Sequence, residues 1–594
     1  MKQSIDSRNI MNGAEIPSEG YCDQPYIVIT DEGTWLCVIT TGSEREGEKG
    51  QHVVSIISND QGKTWSKSVD VEPANGPEAS YAVLLKMPGG RIYCFYNHNT
   101  DNMREVIADN PPFKDGKCRR MDMVGYFVFK YSDDKGKTWS DKRYVVPVRE
   151  MAIDRENAYG GKVRFFWNVG KPFIHDDAAY VSLHKVGGFG AGFFTRNEGV
   201  LLKSKNILSE KNPKKIIWET LPDGDIGLCT PPGGGPIAAE HSYCVLSDGT
   251  FYSVYRSIDG HPVYAYSRDN GHTWTEPKYK QYADGRLMKH PRAANFAWKC
   301  SNGKYLYWFH NHGGRDYEDR NPVWLCGGVE ADTPEGKVIQ WSQPEIILYD
   351  DDPYIRMSYP DLVEENGQYY LTETQKNVAH VHKLDSELLE GLWNQFDNAI
   401  VTTKGLVLAL PKDSMPDETD MQKLPKFCAR DSKRLDYGTK NLCQGFTIDM
   451  WIRFNSLDAG QVVLDSRTEN GQGICLWTTS RKTLEIVLND GRTENRWDCD
   501  SGMLEQGKLH HVAVIVDGGP KIITFIVDGM LCDGGEYRQF GWGRFNRNLR
   551  DINGSKRLRI ALSLKGQLEL LRIYDRYLRT SEVIGNFKAG KSGN

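Results

Sequence analysis

Short apolar runs followed by turn-forming residues recur between about residue 21 and residue 385. Apolar runs of this length, bounded by Gly, Asn, Asp or Pro, are typical of β-strands joined by tight turns. In each unit a first strand opens near a Pro or a small residue, and a Gly-containing turn and a second strand follow. The six predicted openings are 23–25, 78–80, 170–172, 240–242, 290–292 and 358–361. The pattern predicts a repeated series of small antiparallel sheets.

An eight-residue phrase with the pattern S-x-D-x-G-x-T-W occurs at 58–65, 132–139 and 267–274, each time after a β-rich run. The Asp can accept hydrogen bonds from amides of its own turn, and the Gly supplies a positive φ. The Trp then opens the next strand as a large apolar group. Repetition at irregular intervals indicates a strand pair with variable insertions, and hence a toroid of small sheets.

The pattern changes after residue 395. Residues 386–395 are predicted to form a helical connector, and antiparallel strands are predicted at 446–454, 510–516, 522–528 and 566–574. A short amphipathic helix is predicted at 574–582. Because 594 residues are too many for one core, we expect two domains, 1–395 and 396–594.

Composition narrows the functional classes. A formal net charge of −5 gives no electrostatic reason to expect nucleic acid or an anionic membrane as a partner. No apolar run is long enough for a transmembrane helix, and the first residues lack the apolar core of a secretion signal. Two locations therefore remain as alternatives: the cytoplasm, or secretion with a signal that has been removed. The 13 cysteines lack metal-ligand spacing, so buried free thiols are expected, with no metal and no cofactor.

The repeated phrase resembles the Asp-box of the sialidase-like β-propellers, and residues 401–590 resemble the laminin-G or concanavalin A-like jelly roll. The resemblance implies an all-β fold: a six-bladed, catalytic propeller followed by a β-sandwich. In such propellers the Asp-boxes lie on the outer rim, whereas the first strands line the central channel. The six strand openings are therefore expected to converge at one mouth of that channel.

The resemblance also implies site residues. The segment 358–373 is similar to the segment that carries the family's Tyr nucleophile, which assigns that role to Tyr359. In the stretch before the third Asp-box, Glu240 matches the carboxylate that takes the Tyr proton, and Arg256 matches a member of the arginine cluster. Arg320 resembles a second arginine, with Arg292 and Arg315 as competing choices. Arginines in such a cluster bind a sugar carboxylate through paired hydrogen bonds.

The sequence departs from the family at the first opening. The family has Arg-Ile-Pro there, whereas this chain has Asp23-Gln24-Pro25. Asp23 is expected to serve as the acid or to bind a sugar hydroxyl. The loop 40–48, where the family's acid/base Asp is expected, offers only glutamates. Histidines at inner-strand positions are further candidates for proton transfer or hydroxyl binding, and they include His98, His241 and His290, together with His184 and His312.

These features predict an exo-acting glycoside hydrolase that removes a terminal, acidic or otherwise unusual sugar from a glycan. A Tyr nucleophile implies retention at the anomeric carbon. One alternative is a non-catalytic, glycan-binding propeller with an attached lectin. Another is a His-dependent propeller rhamnosidase or polysaccharide lyase. The expected partner is a glycan, and the oligomeric state stays open.

Overall fold

The computed structural model describes residues 6–108, 115–190, 193–435 and 438–591. Six antiparallel sheets of four or five strands, numbered 1 to 6 here, lie between residues 14 and 383 of the described chain. Their successive strands run outward from a first, inner strand, which is the arrangement of a β-propeller. The described part of the chain thus contains one sheet for each predicted strand opening.

The first three sheets take their strands from consecutive stretches of the chain. Sheet 1 contains Tyr21–Ile29, Trp35–Gly42, His52–Ser58 and Val69–Asp70. Sheet 2 contains Ala79–Lys86, Ile92–His98, Tyr126–Ser132 and Tyr144–Val145. Sheet 3 contains Phe165–Trp167, Phe173–His175, Ala178–Gly190, Phe193–Ser204 and Glu219–Leu221.

The next three sheets complete the ring. Sheet 4 contains Ala239–Val245, Phe251–Arg256, Val263–Ser267 and Lys278–Tyr279. Sheet 5 contains Phe296–Lys299, Tyr305–Phe309, Val323–Thr333, Gly336–Trp341 and Glu345–Leu348. Sheet 6 contains Leu362–Glu365, Gln368–Thr374, Ala379–Lys383 and the N-terminal strand Ala14–Ile16. Ala14 pairs with Val381 and Ile16 with Ala379, so the N-terminal strand closes the last sheet.

The strand at the fifth predicted opening begins later than expected. The opening was predicted at 290–292, whereas the strand runs Phe296–Lys299. His290 Nε2 lies 2.8 Å from the carbonyl oxygen of Ala293, and the Arg292 amide donates to the carbonyl of Asp316 at 3.0 Å. The Arg292 amide is thus bonded to a group outside the neighbouring strand, and the segment forms a loop.

The Asp-box turns have the expected hydrogen bonds. In the second copy the Gly136 amide donates to Ser132 Oγ at 2.8 Å, and the Ser132 hydroxyl donates to Asp134 Oδ1 at 2.7 Å. Thr138 Oγ1 donates to Asp134 Oδ2 at 2.6 Å. Gly136 has a φ of 85°, which a residue with a Cβ rarely adopts. The turn follows the third strand of sheet 2, away from the inner strand.

The C-terminal part of the chain forms a sandwich of two antiparallel sheets. The seven-stranded sheet contains Leu406–Pro411, Phe446–Phe454, Leu509–Asp517, Ile522–Val527, Met530–Leu531, Gly543–Arg544 and Gly566–Tyr574. The six-stranded sheet contains Glu418–Asp420, Val462–Asp465, Gly473–Thr478, Leu484–Asn489, Glu494–Asp498 and Arg557–Ile560. Their facing apolar side chains form one core.

The remaining elements are short. Two-stranded ribbons pair Val106–Ile107 with Lys117–Cys118 and Cys428–Arg430 with Thr439–Asn441. Single 3-10 turns lie at Ile10–Asn12, Pro213–Lys215 and Lys412–Ser414. The α-helices are Ala152–Arg155, Ser386–Asn394 and Thr580–Ala589. None of the helices described is long and apolar enough to cross a membrane.

Two helices were predicted, and only the first lies where expected. Ser386–Asn394 agrees with the predicted connector. The prediction of a helix at 574–582 was wrong in its bounds, because the helix is Thr580–Ala589. Tyr574 still belongs to a strand and pairs with Thr447. The Arg579 amide donates to Glu582 Oε2 at 2.9 Å, which places the start of the helix after Arg579.

The sandwich packs against sheet 5 of the propeller. The Trp542 indole donates to the carbonyl oxygen of Asn311 at 2.8 Å and lies next to Trp324 in a shared apolar cluster. Arg8 Nη1 donates to Asp517 Oδ2 at 2.6 Å, which also fixes the N-terminal segment to the sandwich. All 13 cysteines lie in the described residues and are free thiols.

Candidate active site

Four residues at the openings of inner strands have left-handed backbones. Gln24, Tyr81, Glu240 and Tyr359 have φ values of 51°, 60°, 61° and 45°. At the first three, the pairing register with the second strand shifts. A β-bulge re-aims a side chain, and a positive φ is rare for residues with a Cβ. The strand openings of sheets 1, 2, 4 and 6 therefore share one strained local geometry, which recurs at functional sites.

Tyr359 and Glu240 meet across two sheets. The Tyr359 hydroxyl donates to Glu240 Oε1 at 2.7 Å, and Arg256 Nη1 lies 3.1 Å from Glu240 Oε2. Glu240 and Arg256 are fully buried, and Tyr359 is 3% exposed. Burial and the charge of Glu240 both raise the pKa of the Tyr359 phenol. The phenol is therefore neutral and needs a base to become a nucleophile.

Arg320 and Arg292 extend the positive charge around this pair. Arg320 Nη1 donates to the hydroxyl of Ser358 at 2.6 Å, next to Tyr359 in sequence. Arg292 Nη2 donates to the carbonyl oxygen of Phe194 at 2.8 Å. Burial, followed by repulsion from Arg256, lowers the pKa of Arg292 to about 9. Burial also lowers the pKa of Arg320. An anion placed among these guanidinium groups would relieve both effects.

Asp23 is connected to Tyr359 through Lys376, which contacts both residues. Asp23 Oδ2 accepts hydrogen bonds from Lys376 Nζ at 2.6 Å and from the Tyr21 hydroxyl at 2.9 Å. Burial raises the pKa of Asp23 to about 6, and the attraction of Lys376 opposes this rise. The ammonium of Lys376 lies 4.3 Å from the ring centroid of Tyr359, within cation–π range. Lys376 therefore places a cation beside both Asp23 and Tyr359.

Glu46 connects Lys376 to Arg120. Glu46 Oε1 accepts hydrogen bonds from Lys376 Nζ at 3.1 Å and from Arg120 Nη2 at 2.8 Å. Burial would raise the pKa of Glu46, but the two cations outweigh it and hold the pKa well below its usual range. The side chains of Glu46 and Lys376 are 26% and 23% exposed. Both are more exposed than Tyr359, of which 3% is exposed.

An aromatic wall supports Arg120. The Tyr81 and Trp167 rings lie 3.8 Å apart between centroids, and the Arg120 guanidinium is 5.1 Å from the Trp167 ring. Arg120 Nη2 donates to the Tyr81 hydroxyl at 3.0 Å, and Tyr81 in turn donates to Asp122. The carboxylate of Asp122 also accepts from Arg120 Nε at 2.9 Å. Arg120 is thus held in a fixed orientation toward Glu46.

The five candidate histidines, among them His98, His241 and His290, lie in packed surroundings, each no more than 2% exposed. His98 Nδ1 pairs with Thr100 Oγ1 at 2.8 Å, and His290 Nε2 pairs with the carbonyl of Ala293. His241 stacks on Tyr255 with ring centroids 4.1 Å apart. Burial lowers the pKa of His98 to about 4 and the pKa values of His241 and His290 to about 3. All three are therefore neutral near pH 7. Among the described residues, these contacts of the three histidines do not involve Tyr359.

Reasoning from the sequence missed three charged residues of the site, Glu46, Lys376 and Arg120. Glu46 lies in the loop 40–48, which the sequence singled out without choosing among its glutamates. Lys376 lies in the turn between the strands Gln368–Thr374 and Ala379–Lys383, and Arg120 lies in the long connection between the second and third strands of sheet 2. Neither connection has a periodic pattern that would have indicated its position.

The comparisons with known proteins concern both parts of the chain. Residues 432–584 match the family model of the concanavalin A-like lectin/glucanases superfamily, and residues 56–67 match that of the BNR/Asp-box repeat. No curated protein matches the sequence.

Solved structures resemble the chain at low sequence identity. A Trypanosoma rangeli sialidase in complex with 2,3-difluorosialic acid is 13% identical, with 98% of this chain and 97% of that chain covered and a TM-score of 0.42. The NanB sialidase from Streptococcus pneumoniae is 14% identical, with 63% and 70% covered and a TM-score of 0.44. A protein of unknown function from Dyadobacter fermentans is 13% identical, with 63% and 97% covered and a TM-score of 0.42. The chain combines a sialidase-like propeller with a concanavalin A-like sandwich.

Proposed function

We propose that the protein is an exo-acting, retaining glycoside hydrolase that removes a terminal sugar with an anionic substituent from a glycan. The observation that supports this most directly is the chain of contacts from the Tyr359 hydroxyl through Glu240 to Arg256. A phenol bonded to a buried carboxylate has the geometry of a nucleophile with its base. Arg256 Nη1 pairs with the other oxygen of that carboxylate at 3.1 Å.

In the proposed reaction the Tyr359 oxygen attacks the anomeric carbon while Glu240 accepts the phenol proton. The bond between the anomeric carbon and the leaving oxygen breaks, and that oxygen takes a proton from an acid. Water then attacks the anomeric carbon of the tyrosyl–sugar adduct from the opposite side. Glu240 returns its proton to the phenol oxygen, and the acid, now a base, accepts a proton from the water. Two inversions give net retention.

The charges around Tyr359 favour an anionic sugar. Repulsion from Arg256 contributes to the lowered pKa of Arg292 and Arg320, so an anion bound near the three groups would be stabilised. Lys376 adds a cation on the side of Asp23. A phenol nucleophile also suits a substrate whose anomeric region is negative, because it attacks without bringing a charge of its own.

We assign the proton for the leaving oxygen to Asp23. Its pKa of about 6 means that it holds a proton in mildly acidic solution, whereas the neighbouring Glu46 stays ionised. Two carboxylates in one mouth, one protonated and one ionised, are a common division of roles in glycosidases.

The proposal is tested with aryl glycosides of terminal acidic and neutral sugars. The parent should release the aryl group from at least one acidic sugar. Tyr359→Phe should lower kcat by on the order of 10³-fold or more, with substrate binding retained in calorimetry. Tyr243→Phe is the matched control, because it removes a phenol hydroxyl from the first strand of sheet 4. A fluorinated acidic donor should leave a covalent sugar on the peptide that carries Tyr359.

A non-catalytic glycan-binding protein is the second candidate, and the 3% exposure of Tyr359 favours it. In that case no glycoside of the panel would be turned over by the parent, whereas free sugars would bind. Turnover that Tyr359→Phe leaves intact would contradict the proposed mechanism. The His-dependent alternative receives no support from the packed surroundings of His98, His241 and His290.

A further inference from the structure

Three side chains of metal-ligating type converge on sheet 6, apart from the site around Tyr359. Glu373 lies near the end of the strand Gln368–Thr374, and His380 and His382 lie on the neighbouring strand Ala379–Lys383. Glu373 is the register partner of His380, and His382 is two residues further along. Residues two apart on a strand point to the same face, so all three side chains share one side of the sheet.

The donor atoms of these side chains are already close to the spacing of a metal site. Glu373 Oε1 lies 2.8 Å from His380 Nδ1 and 3.4 Å from His382 Nε2. All three donor atoms lie within 4.8 Å of one another. Zinc bonds of about 2.0–2.1 Å in a tetrahedron separate neighbouring ligand atoms by roughly 3.3 Å. Only small side-chain rotations would be needed to place all three around one ion.

The cluster leaves buried polar atoms without partners. Glu373 is fully buried, and its Oε2 atom has no hydrogen-bond partner among the described residues. His382 is 2% exposed, and its Nδ1 atom likewise lacks a partner in the described chain. A buried polar atom without a partner costs about 1–3 kcal/mol, and more when it is charged. A bound cation next to the carboxylate would offset that cost.

We propose that Glu373, His380 and His382 bind a divalent transition metal ion, for which zinc is the best match. Two imidazoles and one carboxylate are a ligand set that zinc accepts, and such a set leaves a fourth position for water or another ligand. His380 is 7% exposed, so solvent reaches the cluster from its side.

Because of the position of the cluster, a bound ion would stabilise two neighbouring segments. The first strand of the chain, Ala14–Ile16, pairs with the strand that carries both histidines. A Cβ atom at Gly13 would lie 2.4 Å from His382 Cε1, so the N-terminal segment packs directly on the cluster. Glu373 and His380 also flank the turn that carries Lys376. A bound ion would therefore hold both the closing strand and the turn beside Tyr359.

The first experiment measures zinc in the full-length protein. After treatment with a chelator and dialysis, the protein is equilibrated with Zn²⁺ under reducing conditions, and the retained metal is measured by mass spectrometry. The parent should retain one ion at this site, whereas Glu373→Gln and His380→Asn should each retain one ion fewer. The matched control is His272→Asn, in the group of Glu219, Asp223 and His272, whose two carboxylates are exposed, and it should retain as much metal as the parent.

A second measurement guards against variants that fold poorly. Zinc should raise the melting temperature of the chelator-treated parent and of His272→Asn, but not that of Glu373→Gln or His380→Asn. Cobalt in place of zinc should give visible absorption in the parent and lose it in His380→Asn. If the parent retains no zinc, or if the parent and both cluster variants retain equal amounts, the three side chains form only a hydrogen-bonded cluster and the proposal is wrong.

Discussion

Glu240 and Tyr359 both hold left-handed backbones while their side chains meet at 2.7 Å. Each such conformation costs on the order of 1–3 kcal/mol for a residue with a Cβ, so contacts with the surrounding sheets must stabilise it. His184 contributes to this stabilisation, because its Nδ1 atom accepts a hydrogen bond from the Glu240 amide at 3.3 Å. Strain at both partners of one contact supports a functional role for that contact.

Asp23 gives a prediction for the pH dependence of the proposed reaction. With a pKa of about 6, Asp23 holds its proton below that pH and loses it above. For a substrate with a poor leaving group, kcat/KM of the parent should fall about tenfold per pH unit above pH 6. The Asp23→Asn variant should not show this fall in kcat/KM above pH 6, yet it should still cleave activated aryl glycosides. A pH profile on both substrate types checks this.

An unchanged profile in Asp23→Asn would exclude Asp23 as the acid. A rise of KM on both substrates, with the same pH limb as in the parent, would instead show that Asp23 only holds Lys376 in position.

The same pKa shift predicts a change in stability. Because the pKa of Asp23 is higher in the folded state than its usual value near 3.9, the folded state binds the proton more tightly. That contribution to stability is complete below about pH 4 and is lost as the pH rises through about 6. Asp23→Asn should therefore melt progressively higher, relative to the parent, between about pH 4 and pH 6, and the difference should be constant above about pH 7. A difference in Tm that does not vary with pH would contradict this.

At the scale of the element, the Asp-box turns are expected to contribute to stability but not to the proposed reaction. Ser132 is 1% exposed, and its hydroxyl joins the Gly136 amide to Asp134. Ser132→Ala leaves that amide without its partner, which should lower the free energy of unfolding by about 1–3 kcal/mol.

The midpoint of urea unfolding measures this loss, and kcat of the folded protein should stay at the parent value. The control is Ser209→Ala, since Ser209 is exposed in a loop and makes only a weak hydrogen bond at 3.5 Å. Equal midpoints for Ser132→Ala and Ser209→Ala would show that the turn does not depend on the hydroxyl.

The inner strands could be predicted from the sequence because their apolar runs repeat and their openings must meet around one axis. This reasoning selected Tyr359, Glu240 and Arg256, which lie far apart in the chain. It could not select Lys376 or Arg120, because the course of an irregular connection depends on tertiary contacts. The role of His241 stays a prediction, and its ring stacks on Tyr255.

At the scale of the whole molecule, Trp542 joins the sandwich to the propeller. Trp542 is 5% exposed and packs against Phe540, with ring centroids 4.9 Å apart, as well as against Trp324 of sheet 5. Trp542→Ala should destabilise the protein by about 3–5 kcal/mol, because it opens a cavity and leaves the Asn311 carbonyl without its donor.

Melting curves and limited proteolysis check this prediction. The variant should be cut between its two parts at protease concentrations that the parent resists. Trp477→Ala, on the six-stranded sheet, is the control and should resist cleavage between the two parts as the parent does. Parent-like resistance of Trp542→Ala would show that the contact with sheet 5 adds little to stability.

Sheet 6 takes its outermost strand from the N-terminal end of the chain and its other three from the far end of the ring. Residues 14–16 therefore leave the ribosome 363 positions before the strand that begins at Ala379, their hydrogen-bonding partner. At about 5–20 residues per second, this early strand waits roughly 20–70 s during synthesis with an unpaired edge. Until then the nascent propeller is an open arc, and a chaperone or a second nascent chain could pair with that edge before the ring closes.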